Sequence, residues 1–170
     1  YNTMIGNQTK YSGNESSGDG NVFVGSSAGA KSDGSSNVLI GRDAGCQRTD
    51  GNNNVAIGAC ALKGISGSAT GGCNVVLGSK AGCCVSTGIF NTLLGACAGC
   101  LVTTGSCNVV VGYSVSVPSL TGDTQLAIGL GHTSWISGTC DYMVGIGLTN
   151  PTSRLTITGD ACVSGVITAT

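Results

Sequence analysis

Cysteine is the reactive residue this chain has in quantity: ten thiols stand against one histidine, His132, and one glutamate, Glu15. Thiolates can bind zinc, form disulfides or act as nucleophiles, so the spacing of the cysteines is the first chemical question. Cys97 and Cys100 have the separation of half a zinc site. A lone pair of this kind is weak, and adjacent Cys83 and Cys84 are too close for the usual second half. His132 is expected in a connecting turn beside Thr133, Ser134 and Trp135. A nucleophile–base–acid set would need three convergent loops, and no pattern in the chain supplies them. Glycine-rich runs are abundant, but no Lys-Ser/Thr follows them as in a phosphate-binding loop. The aspartates occur singly, without the spacing of calcium-binding repeats. These residues predict a protein that is not an enzyme and carries no cofactor and no metal site. Asn7-Gln8-Thr9 and Asn14-Glu15-Ser16 match the short glycosylation pattern, which carries little weight alone.

The cysteines are in register with a larger pattern, G-x-x-N-φ-x-φ-G, where φ is apolar or Thr. Its Asn, or a polar substitute, falls at Asn2, Asn21, Asn37, Asn54, Asn74, Asn91, Asn108, Gln125 and Asp141, with steps of 19, 16, 17, 20, 17, 17, 17 and 16 residues. A period near 17 held over nearly the whole chain is the signature of a solenoid. Glycine stands three residues before and four after most of these positions, as at Gly105 and Gly112 around Asn108. Paired glycines around a short apolar run mark corners with a strand of about five residues between them. No stretch has the sustained 3.6-residue periodicity of a long helix. Stacked coils lie about 4.8 Å apart, so a column of Asn, each with a donor and an acceptor, can bond coil to coil and to corner backbone.

The strands are apolar on both faces. Pairs such as Val38 and Ile40, Val75 and Leu77, and Val109 and Val111 are read as the coil interior. The residues between them, Phe23, Leu39, Val76, Leu93 and Val110 among others, are then left for an interface between chains, since a strand buried on both faces needs two covering layers.

Against this frame Cys73, Cys107 and Cys140 immediately precede the Asn position, Cys60 and Cys97 follow it by six residues, and Cys46, Cys83 and Cys100 by nine. Such register favours small buried thiols first, disulfides second and metal last. Cys83 and Cys100 share a column on adjacent coils, at a separation of about 5 Å that a disulfide can span. Cys73 and Cys107, two coils apart, should not pair within one chain.

Composition agrees with a thin, repeated core. There are 30 glycines, 9% charged and 4% aromatic residues, and a net charge of −1. The charge offers no basic field for nucleic acid, and no apolar run is long enough for a helical membrane span. The chain begins at Tyr1 and reads as a segment of a longer polypeptide. The pattern weakens after Gly145, and Pro151 interrupts pairing. The expected division is 1–148, the β-roll or solenoid repeats, and 149–170, the start of a different β module or a linker, with short strands near Leu155–Ile157 and Val163–Ile167.

The G-x-x-N-φ-x-φ-G-x-x-Ala-Gly units, with Ala28-Gly29, Ala44-Gly45, Ala81-Gly82 and Ala98-Gly99, resemble repeats of phage tail fibres, especially of phages infecting cyanobacteria. They are also similar to the β-roll head repeats of trimeric autotransporter adhesins. The Val144–Gly159 stretch looks like a segment that follows such repeats in tail fibres. The resemblance covers roughly residues 18 to 168, and the high cysteine content departs from it. It implies a parallel homotrimer, a fibrous extracellular or virion location and a part in host attachment. The expectation is therefore an all-β, elongated parallel β-roll or β-solenoid, a homotrimer serving as a rigid spacer of a tail fibre or extracellular filament. The alternative is an adhesin whose loops contact surface glycans, with His132 and Trp135 as the candidate ligand loop and Lys63–Ala69 next.

Overall fold

The computed structural model describes residues 1–9, 18–48, 50–65 and 69–161. The Asn14-Glu15-Ser16 motif, the middle of the Lys63–Ala69 loop and the Val163–Ile167 strand lie outside the described residues. Among those described there are eleven strands in one sheet and no helix. The first eight are β1 (Thr3–Ile5), β2 (Val22–Val24), β3 (Val38–Ile40), β4 (Val55–Ile57), β5 (Val75–Leu77), β6 (Thr92–Leu94), β7 (Val109–Val111) and β8 (Leu126–Leu130). They pair in chain order, all parallel and without register shift. The chain is thus a parallel β-solenoid with one strand per coil and a repeat near 17 residues. Most strands have three residues rather than five, because the glycine corner begins directly after the third.

The interior assignment is the reverse of the sequence expectation. The middle residues Phe23, Leu39, Ala56, Val76, Leu93, Val110 and Ala127 are buried, while the flanking pairs are half-buried or exposed. The reason is the narrowness of the coil. Opposite the strands runs a wall of small turn residues, Ala28, Ala44, Ala61, Ala81 and Ala98, joined by Val85, Val102 and Val115 in the same core cluster. Between the two walls there is room for one large strand side chain per coil, and a three-residue strand turns its central residue to one face and both neighbours to the other.

Backbone close approach explains the glycine three residues before each Asn. A Cβ on Gly88 would strike the Gly105 carbonyl of the next coil, and the same collision recurs along the column.

The stack changes character after Gln125. β8 turns through Gly131 and His132 into β9 (Thr133–Gly138), which runs antiparallel to it. β9 pairs antiparallel with β10 (Val144–Ile146), and β10 pairs parallel with β11 (Leu155–Ile157). Asp141 therefore does not start a further coil in register. It sits exposed in the connection before β10, whose first residue lies three positions on rather than one. Thr149, where a boundary is expected, falls between two strands that pair with each other.

Candidate functional site

Three arrangements carry polar, exposed or reactive groups in order. The first is the asparagine column. Asn21, Asn37, Asn54, Asn74, Asn91 and Asn108 are buried, and Asn2 is exposed on the terminal coil. Each Oδ1 accepts the backbone N–H of the next member: Asn21 from Asn37 at 2.8 Å, Asn74 from Asn91 at 3.0 Å, Asn108 from Gln125 at 2.9 Å. Each Nδ2 reaches the carbonyl of the glycine that opens the following repeat, as from Asn91 to Gly105 and from Asn108 to Gly122. Asn thus closes a corner and bonds the next coil with a single side chain. Gln125 ends the column by turning its amide back onto Ser119 and Gly122.

Outside the coil the flanking strand residues form the second arrangement, an apolar band along the sheet. Val22, Val24, Val38, Ile40, Val55, Ile57, Val75, Leu77, Val109 and Val111 retain exposures up to 39%. At the far end the band enters an open groove of about 420 Å³ that includes Val109, Leu126, Tyr142, Met143 and Val144.

The third is a patch of thiols on the turns. Cys83, Cys84, Cys97 and Cys100 are half-buried and free. Cys83 Sγ lies 3.9 Å from Cys84 Sγ and 3.5 Å from the Cys100 carbonyl oxygen on the next coil. Burial, and then the neighbouring Cys84, Cys100 and Cys97 thiols, push the Cys83 thiol up to about 12. Cys100 is also raised, by burial and then by Cys97 and Cys84. Cys83 and Cys100 therefore stay protonated near neutral pH. Cys73 and Cys107 occupy left-handed corners, φ +57° and +58°, directly before the Asn column. Among the described residues no group of three or more His, Cys, Asp or Glu side chains is arranged to hold a metal ion.

His132 is placed in the β8–β9 turn and Trp135 on β9, both exposed, Trp135 at 58%. The connecting turn expected around His132 is a tight antiparallel hairpin, a reversal that the period of the repeat does not announce, although its signal is present in the sequence. Leu130 pairs with Thr133 and leaves only Gly131 and His132 as the loop, with Gly131 at φ +62°. A Gly-x pair between two β runs is a hairpin signal. Arg48 carries no sequence signal of its burial. It is buried at 1% exposure, donates from Nη2 to the Gly71 carbonyl and from Nη1 to that of Val85, and its Nε has no partner among the described residues. Burial lowers its pKa to about 10. No helix among the described residues is long and apolar enough to cross a membrane. Comparison with protein-family models, with curated proteins and with solved structures finds no match to this chain.

Proposed function

We propose that the chain is a structural segment of a fibre, a rigid spacer of a phage tail fibre or extracellular filament that supports attachment and performs no catalysis. The observation that carries this reading is the unbroken axial bonding from Asn2 to Gln125. Eight parallel strands and one side-chain ladder tie every coil to the next. Seven steps of about 4.8 Å make a rod section about 34 Å long. Bending it would require breaking backbone and Asn bonds together. Rigidity of this kind serves distance-keeping, and a recurring Asn offers no proton to transfer near neutral pH.

The outward apolar band supports assembly as a parallel homotrimer, with the bands of three copies meeting at the axis. An apolar stripe of this length is larger than a monomer ordinarily leaves in water. Mass measurement of the native 170-residue chain, with electron micrographs of its shape, tests the proposal. Trimeric rods are expected. Globular monomers at all concentrations would overturn it.

A second reading, an adhesin contacting surface glycans, is favoured by the exposed Trp135 on the hairpin that interrupts the stack, since an aromatic face can stack on a sugar ring. Binding to a glycan array that is lost on Trp135→Ala would raise it above the spacer reading.

A further inference from the structure

We propose that the Cys83, Cys84, Cys97 and Cys100 patch is an oxidation-triggered staple, in which a small-molecule disulfide converts Cys83 and Cys100 into a bond between adjacent coils. Four thiols meet here from two successive coils, and Cys83 is their hub, with one neighbour on its own coil and the next coil's Cys100 carbonyl at 3.5 Å. Cys83 and Cys100 hold equivalent places, nine residues after Asn74 and Asn91. Just ahead of them the Gly82 N–H donates to the Ala98 carbonyl at 3.0 Å, so the two coils are already in register at this point. Stacked equivalents about 5 Å apart fall inside the range a disulfide spans.

The other pairings are less well prepared. Cys83 with Cys84 would close a strained ring through a single peptide bond. Cys97 with Cys100 would only bridge a turn that the Cys100 N–H to Cys97 carbonyl bond already closes, at 3.3 Å. Cys83 with Cys100 instead joins two coils held until then by hydrogen bonds and packing.

The chemistry is balanced by the reagent. One protein thiolate attacks the small disulfide RSSR and expels RS⁻. The second attacks the protein sulfur of the mixed disulfide and expels another RS⁻. One S–S bond breaks and one forms. Two electrons pass from the protein sulfurs to the reagent, and the two thiol protons leave on two RSH. Because burial holds Cys83 and Cys100 in the thiol form, the reaction should be slow at pH 7 and accelerate with rising pH.

Chymotryptic mapping can read the result, since Phe90 separates Cys83 and Cys84 from Cys97 and Cys100. The folded chain is incubated with oxidised glutathione, free thiols are alkylated, and the digest is analysed without reduction. The expected result is a cross-linked peptide pair spanning Phe90 that persists in Cys84→Ser and Cys97→Ser and disappears in Cys83→Ser and Cys100→Ser. Circular dichroism of each variant checks that it is folded. The oxidised chain should melt several degrees higher, with the gain reversed by dithiothreitol. Recovery of alkylated Cys83 and Cys100 from the oxidised folded chain would overturn the proposal. So would stable glutathione adducts at these positions, or a bond confined to Cys83–Cys84 or Cys97–Cys100.

Discussion

Leu62 stands where neighbouring coils carry glycine, and the strand of its own coil carries Ala56 in place of a large residue. Both are fully buried in the same core. At the equivalent places a Cβ on Gly29 would lie 2.7 Å from the Phe23 ring, and one on Gly45 would lie 2.6 Å from Leu39. Alanine at 56 removes that obstacle, and Leu62 fills the space despite a left-handed φ of +48°. The volume conserved is that of the coil, not of either position. Ala56→Leu alone should overpack the coil and destabilise by about 1–3 kcal/mol. With Leu62→Gly added, much of the loss should be recovered. A double-mutant cycle on thermal or denaturant midpoints reads the coupling; strictly additive effects would contradict the shared volume.

Asn91 accepts from the Asn108 N–H at 3.0 Å and donates to the Gly105 carbonyl at 2.9 Å, both buried. Asn91→Ala should cost about 1–3 kcal/mol for the groups left without partners. Asn91→Asp gives a sharper test. A buried carboxylate without a counter-charge has a folded pKa above its unfolded value, because the charged form is disfavoured by burial. Its stability is then fully present below the unfolded pKa, about 4, and is lost as pH rises through the folded value. Relative to the parent chain, Asn91→Asp should melt near-normally at pH 4 and several degrees lower at pH 7. Equal deficits at both pH values would show that the site is not dry.

How far the sequence revealed this molecule follows from which residues are forced and which are interchangeable. The Gly-x-x-Asn corners were legible because backbone contact at Gly88 and the two-way bonding of Asn91 each admit one residue type well. The inward face was not. Val109, Val110 and Val111 are identical in chemistry, so alternation could not say which one points in. The compensation between Ala56 and Leu62 held that information, since only a residue in the interior needs its volume balanced. Asp141 reads as a repeat member in the sequence because a step of 16 fits the period. The two-residue Gly131-His132 hairpin reverses the chain before it, and a short local turn overrides a long-range count. The thiol patch was half legible: register pointed to Cys83 and Cys100, while the approach of Cys84 and Cys97 depends on turn geometry.

Arg48 is buried in a column that Val85 and Val102 occupy on later coils, and its partners are carbonyl oxygens rather than a carboxylate. Burial costs the guanidinium its hydration, which is what lowers its pKa toward 10. Replacing such a charge by an apolar side chain of similar length is often neutral or stabilising. Arg48→Met should therefore leave the stability of the chain unchanged or raise it, by about 1 kcal/mol or more. Arg48→Glu should lower it by several kcal/mol, since the Gly71 and Val85 carbonyls would then face an anion. A large loss in Arg48→Met, read in the same denaturant series, would mean that the guanidinium bonds outweigh the burial of its charge.

Val109 and Val110 are adjacent on β7 and should respond oppositely to the same change. Val110 is fully buried, whereas Val109 keeps 39% of its surface in the single chain. An aspartate at 110 would bury a carboxylate among Leu93, Val115 and Ala127, core residues of the neighbouring turns and coils, at a cost of several kcal/mol. Because coils are stabilised mainly by their neighbours, the damage should spread along the stack. Val110→Asp is expected to lose cooperative melting altogether. An aspartate at 109 points away from that core and leaves the coil able to form. On the proposed assembly, three such carboxylates would converge on the shared axis and repel one another. Val109→Asp should keep the parent circular dichroism spectrum yet elute as a monomer in size-exclusion chromatography with light scattering. It should reassociate in part at pH 4, where the carboxylates take up protons. If Val109→Asp unfolds as Val110→Asp does, the outward assignment of the flanking residues is wrong. If it folds and remains an oligomer, the band is not the surface through which copies meet.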